Sequence, residues 1–131
     1  MVVGRDVTEQ RKTAEALRRG EERLRVAKQA AGLGIFDMDV TTGAIEWDER
    51  VRELWGVGPE EPITHELFMA GLHPDDREPT WAAESYALDP TTPGRFYAEY
   101  RVISFADHLE RWVAATGYAF HQDGLAVRLV G

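Results

Sequence analysis

Between Arg95 and Gly131 apolar and polar residues largely alternate with a period of two, the side-chain period of a β-strand with one buried face. The segments RFYAEYRVI and ERWVAATGYAF predict two long strands, HQDG predicts a turn, and LAVRLVG predicts a third strand. A chain that gives this much of itself to an antiparallel meander builds a curved sheet. In ERWVAATGYAF the alternation puts Val113, Ala115, Gly117 and Ala119 on one face. Trp112, Ala114, Thr116, Tyr118 and Phe120 share the other. Which face turns inward depends on register, and one bulge inverts it.

The other end of the chain has a different period. Asp6 and Glu9 form a capping-box pattern, and the Ala-, Glu-, Lys-, Arg- and Leu-rich run after them predicts a helix over 6–31. Leu17, Leu24 and Ala31 are spaced by seven, with Gly20 and Ala27 between them, a thin seam over about three heptads. Two readings fit. One is a two-helix coiled coil from Thr8 to about Arg19. The other is a break at Gly20, with 21–31 packed on the domain's own sheet. A charged helix with one narrow stripe needs a partner helix or a sheet in either case.

Gly32 and Gly34 end that helix. Phe36, Met38 and Val40 alternate with Asp37 and Asp39 in a first strand, Thr42-Gly43 is a turn, and Ile45 and Trp47 continue a second. Asp48 is placed to cap a short helix with Val51, Leu54 and Trp55 on one face and Gly56 at its end. Thr64 is placed to cap another, bearing Leu67, Phe68 and Leu72 and stopped at Pro74. Asp75 and Glu78 repeat the capping-box pattern and predict a helix with Trp81, Ser85 and Leu88 on one side. The order helix, two strands, short helices, three strands predicts an α+β domain with one antiparallel sheet.

Composition narrows the chemistry. The 131 residues suit one domain, and 44% hydrophobic residues suffice for a core. Fifteen Lys and Arg against 23 Asp and Glu give −8, which argues against nucleic acid and an anionic membrane surface as partners. Cysteine is absent, which removes disulfides, thiolate nucleophiles and zinc–thiolate sites and suits a reducing cytoplasm. No apolar run approaches the ~20 residues of a membrane span, and no signal peptide is visible. The pairs Asp37/Asp39, Glu60/Glu61 and Asp75/Asp76 read as solvated or capping groups rather than a metal site. Neither a phosphate-cradling glycine loop nor a Ser/His/Asp signature is present, so no catalytic and no metal-binding residue is assigned.

Six segments carry a resemblance: GEERLRVAKQAAGLGIFDMDVTTG (20–43), IEWDERVRELWGV (45–57), LHPDDRE (72–78), FYAEYRV (96–102), RWVAATG (111–117) and DGLAVRLVG (123–131). In this order and spacing the chain resembles a PAS domain of the subclass found in bacterial sensor histidine kinases and diguanylate cyclases. The resemblance covers 21–131 and implies a five-stranded antiparallel sheet of order 2-1-5-4-3, with short helices over one face. It makes 21–131 the PAS domain and 1–20 a signalling or linker helix. The segment 2–17 is similar to the end of such a domain, where a last strand runs into an Asp-hydrophobic-Thr motif and an outgoing helix. Asp6 and Thr8 fall on that motif and would be the joint between domain and helix. The chain stops at Gly131, where the family continues into the same motif. Two arrangements therefore compete. The preferred one is a fragment of tandem repeats carrying a neighbour's tail; the other is a permuted or exchanged sheet completed by Val2 to Arg5. SFADHLE (104–110) departs from the family's usual Pro-Asp-Gly turn.

The resemblance also implies where a ligand would sit. In the family the concave sheet face and the short helices enclose a core that in some members opens into a cavity. Phe36, Trp47, Trp55, Phe68, Trp81, Phe96 and Tyr100 would line it, with Tyr100, Ser85 and Thr116 as polar handles; dense packing alone accounts for the same rings. Haem-binding relatives use a histidine on the long helix after the His-Pro-Asp-Asp motif, and 77–89 has none, so haem is not expected. A flavin–cysteine adduct needs a cysteine. A small-molecule ligand or a non-covalent flavin stays open, and no cofactor is evident. His73 reads as structural, and His65, His108 and His121 as solvated loop or turn residues.

Family members commonly carry charge on the face that holds Trp112, Tyr118 and Phe120. Here that face is apolar and predicts a contact surface. Its cover would be the helix, through Leu24, Ala27 and Ala31, or the same face of a second subunit. Leu17, Leu24, Trp112, Tyr118 and Phe120 are the contact candidates. The chain is thus expected to be a sensory or signal-relay module of a cytoplasmic bacterial multidomain protein, a histidine kinase by preference. It would work as a homodimer beside neighbouring signalling domains, with any kinase or cyclase activity residing elsewhere in the parent protein. A ligand-free dimerisation or spacer module is the alternative. A small pocket enzyme needs a buried Asp or His facing apolar walls, and the sequence shows no such placement.

Overall fold

The computed structural model describes residues 3–131, with side chains from Val7 onward. In chain order the elements are α1 (Val3–Ala31), β1 (Phe36–Asp39), β2 (Ile45–Trp47), α2 (Glu49–Trp55), α3 (His65–Ala70), α4 (Pro74–Leu88), β3 (Arg95–Ile103), β4 (Glu110–Gln122) and β5 (Leu125–Val130). They form two units, 1–33 and 34–131.

The first unit is α1. The helix runs unbroken through Gly20, so the break considered there is absent. A helical glycine costs about 1 kcal/mol relative to alanine, and the Ala, Glu, Arg and Leu residues around it favour helix enough to carry it. The helix also starts before the Asp6/Glu9 pattern rather than at it. Val3, Gly4 and Arg5 are helical, so they do not complete the sheet as the permuted arrangement required. Val2 and the Asp6 side chain lie outside the described residues. At the other end Gly32 takes φ +69°, and the Leu33 N–H donates to the Lys28 carbonyl at 2.9 Å, closing the last turn. Leu17 and Leu24 are exposed.

The second unit holds one antiparallel sheet of order β2-β1-β5-β4-β3, the topology that the resemblance implied. The end of the chain closes it. Phe36 and Gly131 exchange backbone hydrogen bonds of 2.9 and 3.0 Å beside the β1–β5 ladder. The β4–β5 register shifts at Phe120/His121, beyond most of the alternating run. The alternation therefore holds along β4: Ala115 and Gly117 are buried, whereas Trp112, Tyr118 and Phe120 are exposed. His121 lies in β4 rather than in a turn, and the turn is Asp123-Gly124, both with positive φ (53° and 77°) as a two-residue hairpin requires.

Helices α2, α3 and α4 pack over the inner sheet face around Trp47, Val51, Trp55, Leu72, Phe96, Tyr100, Val102 and Leu129. Asp48 caps α2, its carboxylate accepting from the Val51 N–H at 3.0 Å, while its second oxygen accepts from Ile35 at 2.9 Å. Two sequence expectations are corrected between α3 and α4. Pro74 opens α4 instead of merely stopping α3, and the cap is His73, whose Nδ1 accepts from the Asp75 N–H at 3.1 Å. Leu72 is not on α3: it bridges Val102, flanked by Ile103 N–H to Gly71 at 2.8 Å and His73 N–H to Arg101 at 2.9 Å. This connection covers the Arg101–Ile103 end of the outer edge of β3, which would otherwise expose unpaired backbone groups there.

A third correction concerns α4. It buries Thr80, Glu84 and Ala87, whereas Ser85 is exposed and Trp81 is 56% exposed. The inward stripe is rotated by one residue from the expected one, because two of its three positions are polar.

Candidate functional site

Over the inner face of β3, ring contacts run continuously from sheet to helices. Trp47, at the end of β2, packs against Trp55 of α2 with centroids 4.7 Å apart; Trp55 stacks on Phe68 of α3 at 5.6 Å. Tyr100 of β3 meets Trp55 at 6.1 Å and Phe68 edge-on at 5.9 Å. Trp55 Nε1 donates to the Phe68 carbonyl at 3.1 Å, tying the end of α2 to α3. Gly71 lets the chain pass this ring, since a Cβ there would lie 2.3 Å from Trp55 Cδ1.

The seven ring candidates are thus not one wall. Trp47, Trp55, Phe68 and Tyr100 come together. Phe36 and Phe96 form a separate edge-on pair at 6.2 Å. Trp81 meets His65 at 5.5 Å, and through it borders the cluster. Of the polar handles, Tyr100 is buried, whereas Ser85 and Thr116 are exposed.

The sequence reading missed the polar pair at the border of this cluster. His65, at the start of α3, is hydrogen-bonded through Nε2 to Glu84 Oε2 of α4 at 2.8 Å. The Glu84 side chain is 8% exposed and that of His65 33% exposed. The hydrogen bond to the Glu84 carboxylate raises the His65 pKa above the ordinary imidazole value. Burial, with the Glu84 charge, pushes the Tyr100 phenol far above its ordinary range. His65 is therefore not the solvated loop residue expected. One available signal was that Thr80, Glu84 and Ala87 also form a helical stripe, although a largely polar one.

A second candidate surface lies on the opposite sheet face. Trp112 is 68% exposed, and Tyr97, Tyr118 and Phe120 are exposed with it. Cross-strand arginines cover two of these rings: Arg101 stands over Trp112 at 5.2 Å and Arg95 over Tyr118 at 5.6 Å. Arg101 also links this face to α4. Its backbone N–H donates to Asp76 Oδ2 at 2.7 Å, and its guanidinium grips both Asp76 oxygens at 2.8 and 2.9 Å. That grip holds the Asp76 pKa down at about 2. Among the described residues no group of side chains is arranged to hold a metal ion, and no helix is long and apolar enough to cross a membrane.

Residues 44–131 match the family model of the PAS fold. The chain is 32% identical over 111 residues to Sensor protein FixL of Bradyrhizobium diazoefficiens, a match covering 84% of this chain and 21% of that protein. It is 25% identical over 126 residues to the probable diguanylate cyclase DgcE of Escherichia coli K12, covering 96% of this chain and 11% of that protein. The chain therefore spans only a small part of either relative. The crystal structure of a sensory box histidine kinase/response regulator from Burkholderia thailandensis E264 is similar at TM-score 0.68 and 28% identity, covering 83% of this chain and 80% of that one. The N-terminal domain of a diguanylate cyclase with PAS/PAC sensor from Marinobacter aquaeolei shares the fold at TM-score 0.64 and 19% identity, covering 75% and 89%. With the sheet order and the helices over its inner face, these likenesses establish that the chain belongs to the PAS-fold family.

Proposed function

We propose that this PAS domain is a sensory or signal-relay module of a bacterial multidomain signalling protein, of histidine kinase type, and that it works as a homodimer. The observation that carries the proposal is the exposed aromatic row on the outer sheet face. Three large rings of β4 in water are a surface that association would bury. Leu17 and Leu24 of α1 supply the second contact stripe, and Asp6 and Thr8, in the first turns of α1, are the joint between domain and helix. Transmission runs through Arg101. It packs on Trp112 outside the sheet and grips Asp76 in the first turn of α4, so a change at the outer face is felt by the helix over the core. The event is a shift between two packings, biased by whatever contacts one of them better. Neighbouring kinase or cyclase domains of the parent protein would read that shift.

The close ring contacts favour a second reading, in which Trp47, Trp55, Phe68 and Tyr100 fill the core themselves and the module relays or spaces without a small molecule or flavin. Haem is not proposed, since α4 carries no histidine. Sedimentation of the wild-type chain and of Trp112→Glu tests the dimer. The wild type is expected to dimerise and the variant to be monomeric while keeping its circular dichroism spectrum. An unchanged dimer in the variant removes the outer face from the mechanism.

A further inference from the structure

The His65–Glu84 pair, which lies apart from the relay through Arg101, has a use of its own. We propose that these two side chains form a proton-operated latch, which holds α3 against α4 at the border of the aromatic cluster while His65 is protonated and loosens when His65 gives up its proton.

The geometry has the three parts such a device needs. The bond joins two different helices, and α3 is only six residues long, so α3 depends on contacts outside itself for its position. The acid is nearly buried, so its charge needs a partner; the imidazole is a third exposed, so protons in solution reach it. The rings that His65 touches, Phe68 of α3 and Trp81 of α4, belong to the two helices being joined, so loosening the pair loosens their packing.

The charged surroundings are simple. Glu84 is the charge acting on His65. Tyr100, across on β3, also feels Glu84 and stays a neutral phenol. Glu66, next along α3, is exposed. The direction follows. The His65 pKa lies above the free imidazole value of about 6.5, so the pair's contribution is full below that value and is lost as pH rises through the folded-state pKa. Above it a neutral imidazole can still donate one hydrogen bond, but the carboxylate has lost its countercharge. The latch thus opens toward alkaline pH, and what it releases is the α3 side of the cluster around Phe68 and Tyr100.

The test uses the intact chain and needs no ligand. The His65 imidazole is followed by NMR from about pH 5 to about pH 10, with amide exchange of α3 corrected for intrinsic rates and referred to β4. In the wild type His65 is expected to titrate above the ordinary imidazole value. Protection of the α3 amides should fall about threefold to tenfold through that titration. In Glu84→Gln the His65 titration should move down and the α3 dependence vanish. His65→Gln, which keeps a donor without the charge, should show α3 protection flat with pH and serves if Glu84→Gln does not fold. A wild-type His65 titrating at or below the ordinary value, α3 protection flat through its titration, or pH-dependent α3 protection persisting in His65→Gln would each overturn the latch. None of these readouts depends on dimerisation, so the proposed relay function can fail while the latch stands.

Discussion

Asp76 accepts three hydrogen bonds from a residue 25 positions away, and that one contact joins α4 to β3. Removing its charge in Asp76→Asn should cost about 1–3 kcal/mol, because the partly buried Arg101 guanidinium loses its carboxylate. The pH dependence has a definite sign. The folded pKa, about 2, lies below the unfolded value near 3.8, so the contribution is present above about pH 4 and lost as pH falls toward 2. Urea unfolding at neutral pH and near pH 3 should show the wild type approaching the variant in acid. A constant gap across that range would contradict the assignment. Gly71→Ala should cost about 1–3 kcal/mol by pressing a methyl into the Trp55 ring, read by the same unfolding curves. Neither contact was legible in the sequence. Asp75 and Asp76 look alike there, and nothing local marks Arg101 as the partner of one of them. The capping of α2 by Asp48 was legible, because cap and capped N–H lie within one turn.

Among the elements, the strands were read more reliably than the helices. In β3 and β4 burial alternates with the expected period of two, with Phe96, Tyr100 and Ala115 inward, although for β4 the pattern alone left open which of its two apolar faces would be buried. In α4 the same reasoning chose the wrong stripe. Its inward positions include Thr80 and Glu84, and a carboxylate is tolerated there because His65 of another helix meets it. A tertiary partner decided the face, and single-sequence periodicity has no access to such a partner. The consequence is measurable. Trp81→Ala should change stability by less than about 1 kcal/mol, since the ring stands largely in water, whereas Trp55→Ala should cost about 3–5 kcal/mol. Similar losses from both would mean that α4 turns its Trp81 side inward after all.

For the whole molecule, topology was the most legible level. Element types followed from periodicity, and the strand order followed from the resemblance carried by six ordered segments, which matches the sheet found. The beginning of the chain was the least legible. The resemblance of 2–17 to the end of such a domain implied a strand before Asp6, yet Val3 onward belongs to α1, where the long helix-favouring run after it dominates. The function proposed rests on the outer face of the sheet, where Trp112, Tyr118 and Phe120 stand exposed beside two arginines. Native mass spectrometry of the purified chain tests that claim most directly, because it reports subunit number and any bound mass together. The expected result is a dimer in the wild type that falls to a monomer in Trp112→Glu. A wild-type chain that is monomeric at tens of micromolar would contradict it.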